Sequence, residues 1–278
     1  MIGRLARATM VAVAAATFSA SASADPSLER VTQAKVLRIG VAINIPWVVR
    51  TAGGQLTGYD VELARALAAD LGVAPQFVEM PFGDLVARLA RGDVDMVASG
   101  LAITPARARA VMFSNTTGSA AIRVVASRAA LGTDPAKALS APGFTIGALA
   151  DSTDADAARQ AFSNAKVVTF PSAADALAAL LNGTTQAMVA TAPVPRLTAT
   201  LYDAKFQLLR RPLTHTPEAF ALRADDTRLL GYVNNWISAK APDGTIENAN
   251  DYWFGRMMWL RSLETDIKST QASASPTK

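Results

Sequence analysis

Residues 89–99 read LARGDVDMVAS, and residues 180–190 read LLNGTTQAMVA. Each is the end of an amphipathic helix, a glycine that stops it, and a short apolar strand. The segments around them follow the same grammar. Upstream of the first, residues 36–43 (VLRIGVAI) read as a buried strand. Residues 60–71 then place Val61, Ala64, Leu67, Ala68 and Leu71 at helical spacing, with Gly72 as the stop. Residues 76–78 suit a short strand, residues 83–90 a helix with Leu85, Val86 and Leu89 inward, and residues 94–98 a strand. Around the second segment, residues 144–149 read as a strand, and Ser152 or Thr153 can cap a helix to about residue 162. A strand at 167–170, a helix capped by Ser172 and a strand at 186–190 follow. Strands alternating with helices predict an α/β fold with a mostly parallel sheet. The recurrence predicts two small α/β lobes in place of one long sheet. A helix over 227–240, a turn at 241–245 (APDGT) and a helical stretch over 249–261 close the fold, with Trp253, Phe254 and Trp259 as a packing patch.

The chain has 278 residues, 50% hydrophobic and 18% charged, enough apolar material for a sizeable core. Net charge is only +4 and no block of like charge appears, so nothing predicts a nucleic-acid partner. Cysteine is absent, which excludes disulfides, thiolate metal sites, thiol catalysis and a cysteine-linked lipid anchor. The single histidine, His215, speaks against a histidine metal site or a serine–histidine hydrolase, and no metal or cofactor is expected. Arg4 and Arg7 precede a short uncharged run from Ala8 to Phe18, and Ala22-Ser23-Ala24 gives a small-x-small site before Asp25. This is the layout of a cleaved secretory signal over residues 1–24, so the product is expected in the periplasm. Residues 263–278 are expected to be a flexible tail, Ser- and Thr-rich from about Lys268.

VLRIGV, GQLTGYDVELARALAADLG (54–72), FGDLVARLARGDVDMVASGLAITPARARAVMFS (82–114), AFALRADDTRLL (219–230), APDGT and YWFG (252–255) occur in this order. Together they resemble the periplasmic solute-binding proteins of polar amino-acid ABC transporters, the extracellular solute-binding family 3. The resemblance spans most of 35–262. It implies a two-lobed periplasmic binding protein fold of type II, two small α/β domains on a two-segment hinge. Lobe 1 would be 35–122 plus 213–262 and lobe 2 would be 123–212, with crossovers near 118–127 and 207–216. The implied function is a non-enzymatic, monomeric receptor that closes on a small carboxylate, an amino acid or similar, and delivers it to an inner-membrane ABC permease. The alternative is an enzyme on the same scaffold, of the cyclohexadienyl dehydratase kind. Proton-transfer chemistry needs a placed acid or base, and the matched positions Arg107, Ser99 and Thr191 offer none.

The site residues follow from the same resemblance. Thr104 and Pro105 suit a helix cap and first turn, where an anion would offset the cost of placing Arg107. In the family the arginine at this position clamps the ligand carboxylate. Ser99 and Gly100 match positions that face its ammonium, and Ala102 stands where a hydroxyl is usual. Trp47 and Phe82 match apolar or aromatic walls, lobe core being the other reading for both. In lobe 2, Asp151-Ser152-Thr153 replaces a Gly-Thr-Thr or Gly-Thr-Ser turn, with Asp151 read as a helix N-cap pointing away. Thr191 and Gln186 replace two usual aspartates, the first of which pairs with the ligand ammonium. A buried ammonium without an acid is costly. Either the ligand lacks an ordinary α-ammonium, or another acid has taken over, Asp151 being the nearest candidate. His215, near the second crossover, either lines the cleft or sits in a surface loop, the loop being favoured.

Overall fold

A computed structural model describes residues 26–260; the expected leader 1–24 and tail 263–278 lie outside the described residues. Helix α1 (Pro26–Ala34) leads into β1 (Val36–Val41), the short strands β2 (Val49–Arg50) and β3 (Leu56–Thr57), α2 (Tyr59–Asp70), β4 (Ala74–Glu79), α3 (Leu85–Ala90) and β5 (Met96–Val97). The long strand β6 (Val111–Ser127) then leads to α4 (Arg128–Leu131), α5 (Pro135–Leu139), β7 (Thr145–Leu149), α6 (Thr153–Ala161), β8 (Lys166–Phe170), α7 (Ala173–Leu181), β9 (Ala187–Thr191), α8 (Val194–Leu201) and β10 (Phe206–Leu208). The chain returns along β11 (Thr214–Arg223) and ends in α9 (Thr227–Lys240) and α10 (Thr245–Asn250).

The sheet runs β4-β1-β5-β11-β6-β9-β7-β8, with β10 also on β6. Its outer parts, β4-β1-β5 and β9-β7-β8, are each parallel. The middle is antiparallel, where β6 and β11 pair from Thr214–Ile122 to Arg223–Val111 with two register shifts. Two lobes were expected in place of one long sheet, and here the structure differs: strands of both lobes join in one nine-stranded sheet. The segments near 118–127 and 207–216 lie in or beside the strands that carry the sheet from one lobe to the other. Backbone hydrogen bonds across β6 and β11 satisfy polar groups that a buried linker would leave unpaired.

Each lobe keeps its own core. Leu63, Ala64, Leu67 and Ala68 of α2 are fully buried against Leu37, Ile39 and Val41 of β1 and Trp236 and Trp253 of the C-terminal region. Lobe 2 buries Ile146, Val189 and Ala158 around β7, β9 and α6. Between them, Leu149 of β7 joins a cluster with Met80, Phe82, Leu85 and Leu101 of lobe 1, so the two lobes touch. The helical stretch expected over 249–261 is broken: α10 passes into a π-helical turn at 251–255. Trp253 and Trp259 still stack, with ring centroids 5.8 Å apart, and both are buried. His215 lies on β11 opposite Ala121, exposed, and is not in a loop.

Candidate ligand-binding site

The carboxyl ends of β5, β7 and β9 converge on one cleft, the usual place for a ligand in an open α/β sheet. After β5, Ser99 is fully buried, and its hydroxyl donates to the Ala42 carbonyl at 3.0 Å and accepts from the Ala42 amide at 2.9 Å. That side chain is committed to tying β5 to β1. Gly100 follows with φ 61, and its amide donates to Asp60 Oδ2 at 2.6 Å. A Cβ there would lie 2.6 Å from the Trp47 ring, so only glycine fits both the backbone and the space. Trp47, 1% exposed, forms the floor beneath it. Its indole N–H donates to Glu218 Oε2 at 2.9 Å, and its ring meets Phe254 edge-on at 5.2 Å.

Arg107 reaches across the cleft. Its Nη1 donates to the Ala102 carbonyl at 2.9 Å and its Nη2 to the Asp151 carbonyl of the other lobe at 3.1 Å. The guanidinium sits 5.6 Å from the Phe82 ring centroid. Two carbonyls use two of the five N–H groups of a guanidinium and orient the rest. Burial lowers the Arg107 pKa, opposed by the nearby charges of Asp156, Asp154 and Asp151. The helix expected after Pro105 is not there. Residues 107–109 form a single 3-10 turn, in which Thr104 Oγ1 accepts from the Arg107 amide at 3.2 Å. Carbonyl contacts, not a helix dipole, place this arginine.

In lobe 2, Ser152 is the N-cap of α6: its Oγ accepts from the Ala155 amide at 3.3 Å and donates to the Leu149 carbonyl at 2.6 Å. Asp151 is therefore not the cap. It adopts φ 54, the left-handed region where glycine is most at ease and aspartate is tolerated. Its carboxylate packs on Gly83 of lobe 1, where a Cβ would come within 2.5 Å of Oδ2. Thr153 opens α6 and, with Thr104, Arg107, Asp156 and Arg159, lines a polar cavity of about 330 Å³.

Thr191 ends β9, and its hydroxyl donates to Asp154 Oδ1 at 2.7 Å. Asp154 is buried, and burial pushes its pKa up to about 6 although the Thr191 bonds and the Arg107 charge pull it down. The acid beside Thr191 is thus Asp154, and Asp151 faces Gly83. Two further buried acids lie in electrostatic reach. Asp60 has its pKa raised by burial to about 7. Glu218, on β11, is raised well above the usual range by burial and by the charges of Asp60 and Asp154. Gln186 stands at the far end of β9, its side-chain oxygen accepting from the Thr145 amide at 2.9 Å. Around the cleft, Arg107 bonds to Ala102, lies against the Phe82 ring, lines one cavity with Thr153 and acts by its charge on Asp154, which holds Thr191, while Gly100 packs on Trp47. Ser99, Ser152 and Trp47 support it from behind.

Asp154, Asp60 and Glu218 escaped the sequence reading. Asp154 and Asp60 stand in first helical turns, where an acid is expected for the helix dipole alone. Only the pairing of α6 with β9 reveals that Asp154 and Thr191 meet.

The family model for bacterial extracellular solute-binding proteins, family 3, matches residues 37–256. An L-arginine-binding protein of Pseudomonas aeruginosa is 29% identical over 79% of this chain and 88% of its own length. A cyclohexadienyl dehydratase of the same organism is 25% identical over 84% of this chain and 89% of its own length. The crystal structure of an ancestral amino acid-binding protein, described as a precursor of cyclohexadienyl dehydratase, matches with a TM-score of 0.75 and 31% identity, covering 82% of this chain and all but 1% of that one (99%). Two lobes of this fold, a shared cleft and a family match over most of its length make the chain a member of the bacterial extracellular solute-binding proteins, family 3.

Proposed function

We propose that the protein is a periplasmic receptor that holds a small α-amino acid between its lobes and hands it to an ABC permease. The observation that carries this reading is that Arg107, bonded to the Asp151 carbonyl, lies within charge range of the Asp154 carboxylate that Thr191 holds. A zwitterion presents a carboxylate to a planar guanidinium fork and an ammonium to a carboxylate, each as a charge-assisted hydrogen bond. Asp154 then supplies the acid that Thr191 lacks, so the α-ammonium is recognised after all. The receptor acts as a monomer after loss of residues 1–24. The basic leader supports export, and among the described residues no helix is long and apolar enough to cross a membrane.

A thermal-shift screen of amino acids, keto acids and other small carboxylates tests this, because a ligand that binds only the folded state raises the melting temperature. The reading expects amino acids to raise it and fails if none does. Closure is tested by small-angle scattering. The radius of gyration is expected to fall on saturation with the stabilising amino acid, and an unchanged radius contradicts hinge closure.

The pH dependence follows from Asp154. Its pKa of about 6 means that it is protonated, and a poor partner for a cation, below that value. A bound ammonium favours the ionised form and lowers the pKa, so affinity is expected to rise with pH through about 6. Asp154→Asn is expected to lose about 10–100-fold in affinity, the value of a hydrogen bond to a charged group, and to flatten the profile. Calorimetric titration at several pH values checks both. A profile that Asp154→Asn leaves intact contradicts the assignment.

A second reading has one observation in its favour. Buried Asp154, Asp60 and Glu218 offer the cleft acids that the sequence reading found missing, which an enzyme of the cyclohexadienyl dehydratase kind would need to protonate a leaving hydroxyl. The receptor reading expects no product from prephenate or arogenate; turnover would replace it.

A further inference from the structure

Beside the clamp, with Phe82 in its wall, lies a second cavity of about 660 Å³ between the lobes. Lobe 1 lines it with Ala42, Ile43, Ile45 and Met80, and lobe 2 with Leu149, Leu177 and Val194. Only two polar side chains reach it among the described residues, Glu79 and Ser172. Both are already engaged. Glu79 is ion-paired with Arg50, and Ser172 donates to Asp175 Oδ2 at 2.7 Å and accepts from the Asp175 amide at 3.1 Å. Asp60, Asp154 and Glu218 do not line this cavity.

The cavity adjoins the clamp. Phe82 forms its wall and also carries the Arg107 guanidinium near its ring. Leu149 lines it, while the next two residues, Ala150 and Asp151, line the polar cavity around Arg107. An amino acid held by Arg107 and Asp154 would therefore extend its side chain past Phe82 into an apolar chamber of ordinary small-molecule size. The one carboxylate at its edge, Glu79, is half-exposed and already paired with Arg50, so a guanidinium or ammonium buried among the apolar walls would lose water without a buried acid beside it, which is costly. A ring or branched aliphatic chain would instead gain from leaving water.

Building on the receptor reading above, we propose that the ligand is an amino acid with a large apolar side chain, aromatic or branched aliphatic, and not a cationic one. This sets the chain apart from the arginine-binding relative. The test is calorimetric titration of the full-length protein with L-phenylalanine, L-leucine, L-arginine and L-lysine. Phenylalanine or leucine is expected to bind at least about tenfold more tightly than either cation, the value of roughly two buried methylenes. Ile43→Asp is expected to reverse that order, and Ala174→Glu, on the exposed rim of α7, serves if the first variant folds poorly. Arginine or lysine binding as tightly as the apolar pair overturns the side-chain assignment and leaves the receptor reading standing. If none of the four binds and no other amino acid raises the melting temperature, the receptor reading falls and this proposal with it. Variants that leave the order of preference unchanged also overturn the assignment.

Discussion

Replacing Arg107 with alanine is expected to abolish ligand binding and to leave a folded protein. The guanidinium is a cation joined to both lobes, to Ala102 on one side and Asp151 on the other. Removing one member of a buried, hydrogen-bonded charge pair typically costs about 2–5 kcal/mol of affinity, much of it from stranding the partner charge. The fold depends on this side chain far less. Its own bonds are to two carbonyl oxygens at the edge of the cleft, one part-buried and one exposed, where water can take the place of the guanidinium. Arg107→Lys keeps the charge and loses the planar fork, so it is also expected to bind poorly. Titration of both variants, alongside thermal unfolding, separates binding from folding. An alanine variant that binds like the natural protein would remove Arg107 from the site.

A comparable loss, in stability and not in affinity, is expected at Asp95. Its side chain is 1% exposed. Oδ1 accepts from Arg30 and from Arg38 Nη2 at 2.6 Å. Oδ2 accepts from the Arg38 amide at 2.9 Å and from Arg38 Nε at 3.2 Å. One carboxylate thus ties α1, β1 and the start of β5 together, and it raises the Arg38 pKa by hydrogen bonding. Asp95→Ala strands the Arg38 amide and two guanidinium groups. The two guanidinium groups are 41% and 32% exposed and regain water, so the loss falls below that of a fully buried pair and is about 2–3 kcal/mol. For a protein of this size each kcal/mol moves the melting temperature by about 2–4 °C, so a drop of about 5–10 °C is expected. Asp95→Asn retains an acceptor and should recover part of it. A melting temperature within a degree or two of the natural protein would contradict this account of lobe 1.

Much of this architecture was legible because it rests on local rules. Periodic apolar residues and glycine stops defined α2, α3 and α7 to within a residue or two, and residues 227–240 coincide with α9. Ser172 caps α7 as its position implies. The boundary at β6 was not legible, because a strand of this length has no internal stop: Gly118 sits within it as part of the continuous ladder with β11. The resemblance led to Arg107, Phe82 and Thr191; Arg107 lies against the Phe82 ring, and Thr191 holds the Asp154 carboxylate whose charge acts on Arg107. It could not reveal that the acid beside Thr191 stands on α6, since Asp154 and Thr191 are 37 residues apart. Nor could local sequence show that Asp151 would take a left-handed conformation and pack on Gly83 of the opposite lobe. Contacts between elements, and across the cleft above all, carry information that no single segment holds.

The most direct measurement compares each amino acid with its des-amino counterpart, such as L-phenylalanine with 3-phenylpropionate, by calorimetric titration at pH 7.5. If Arg107 reads the carboxylate and Asp154 with Thr191 reads the ammonium, losing the ammonium removes a charge-assisted hydrogen bond worth about 1.5–3 kcal/mol. The amino acid is then predicted to bind about 10–100-fold more tightly than its counterpart. Equal or tighter binding of the des-amino acid would show that the cleft reads a carboxylate alone, and would contradict the pairing of Asp154 with a ligand ammonium.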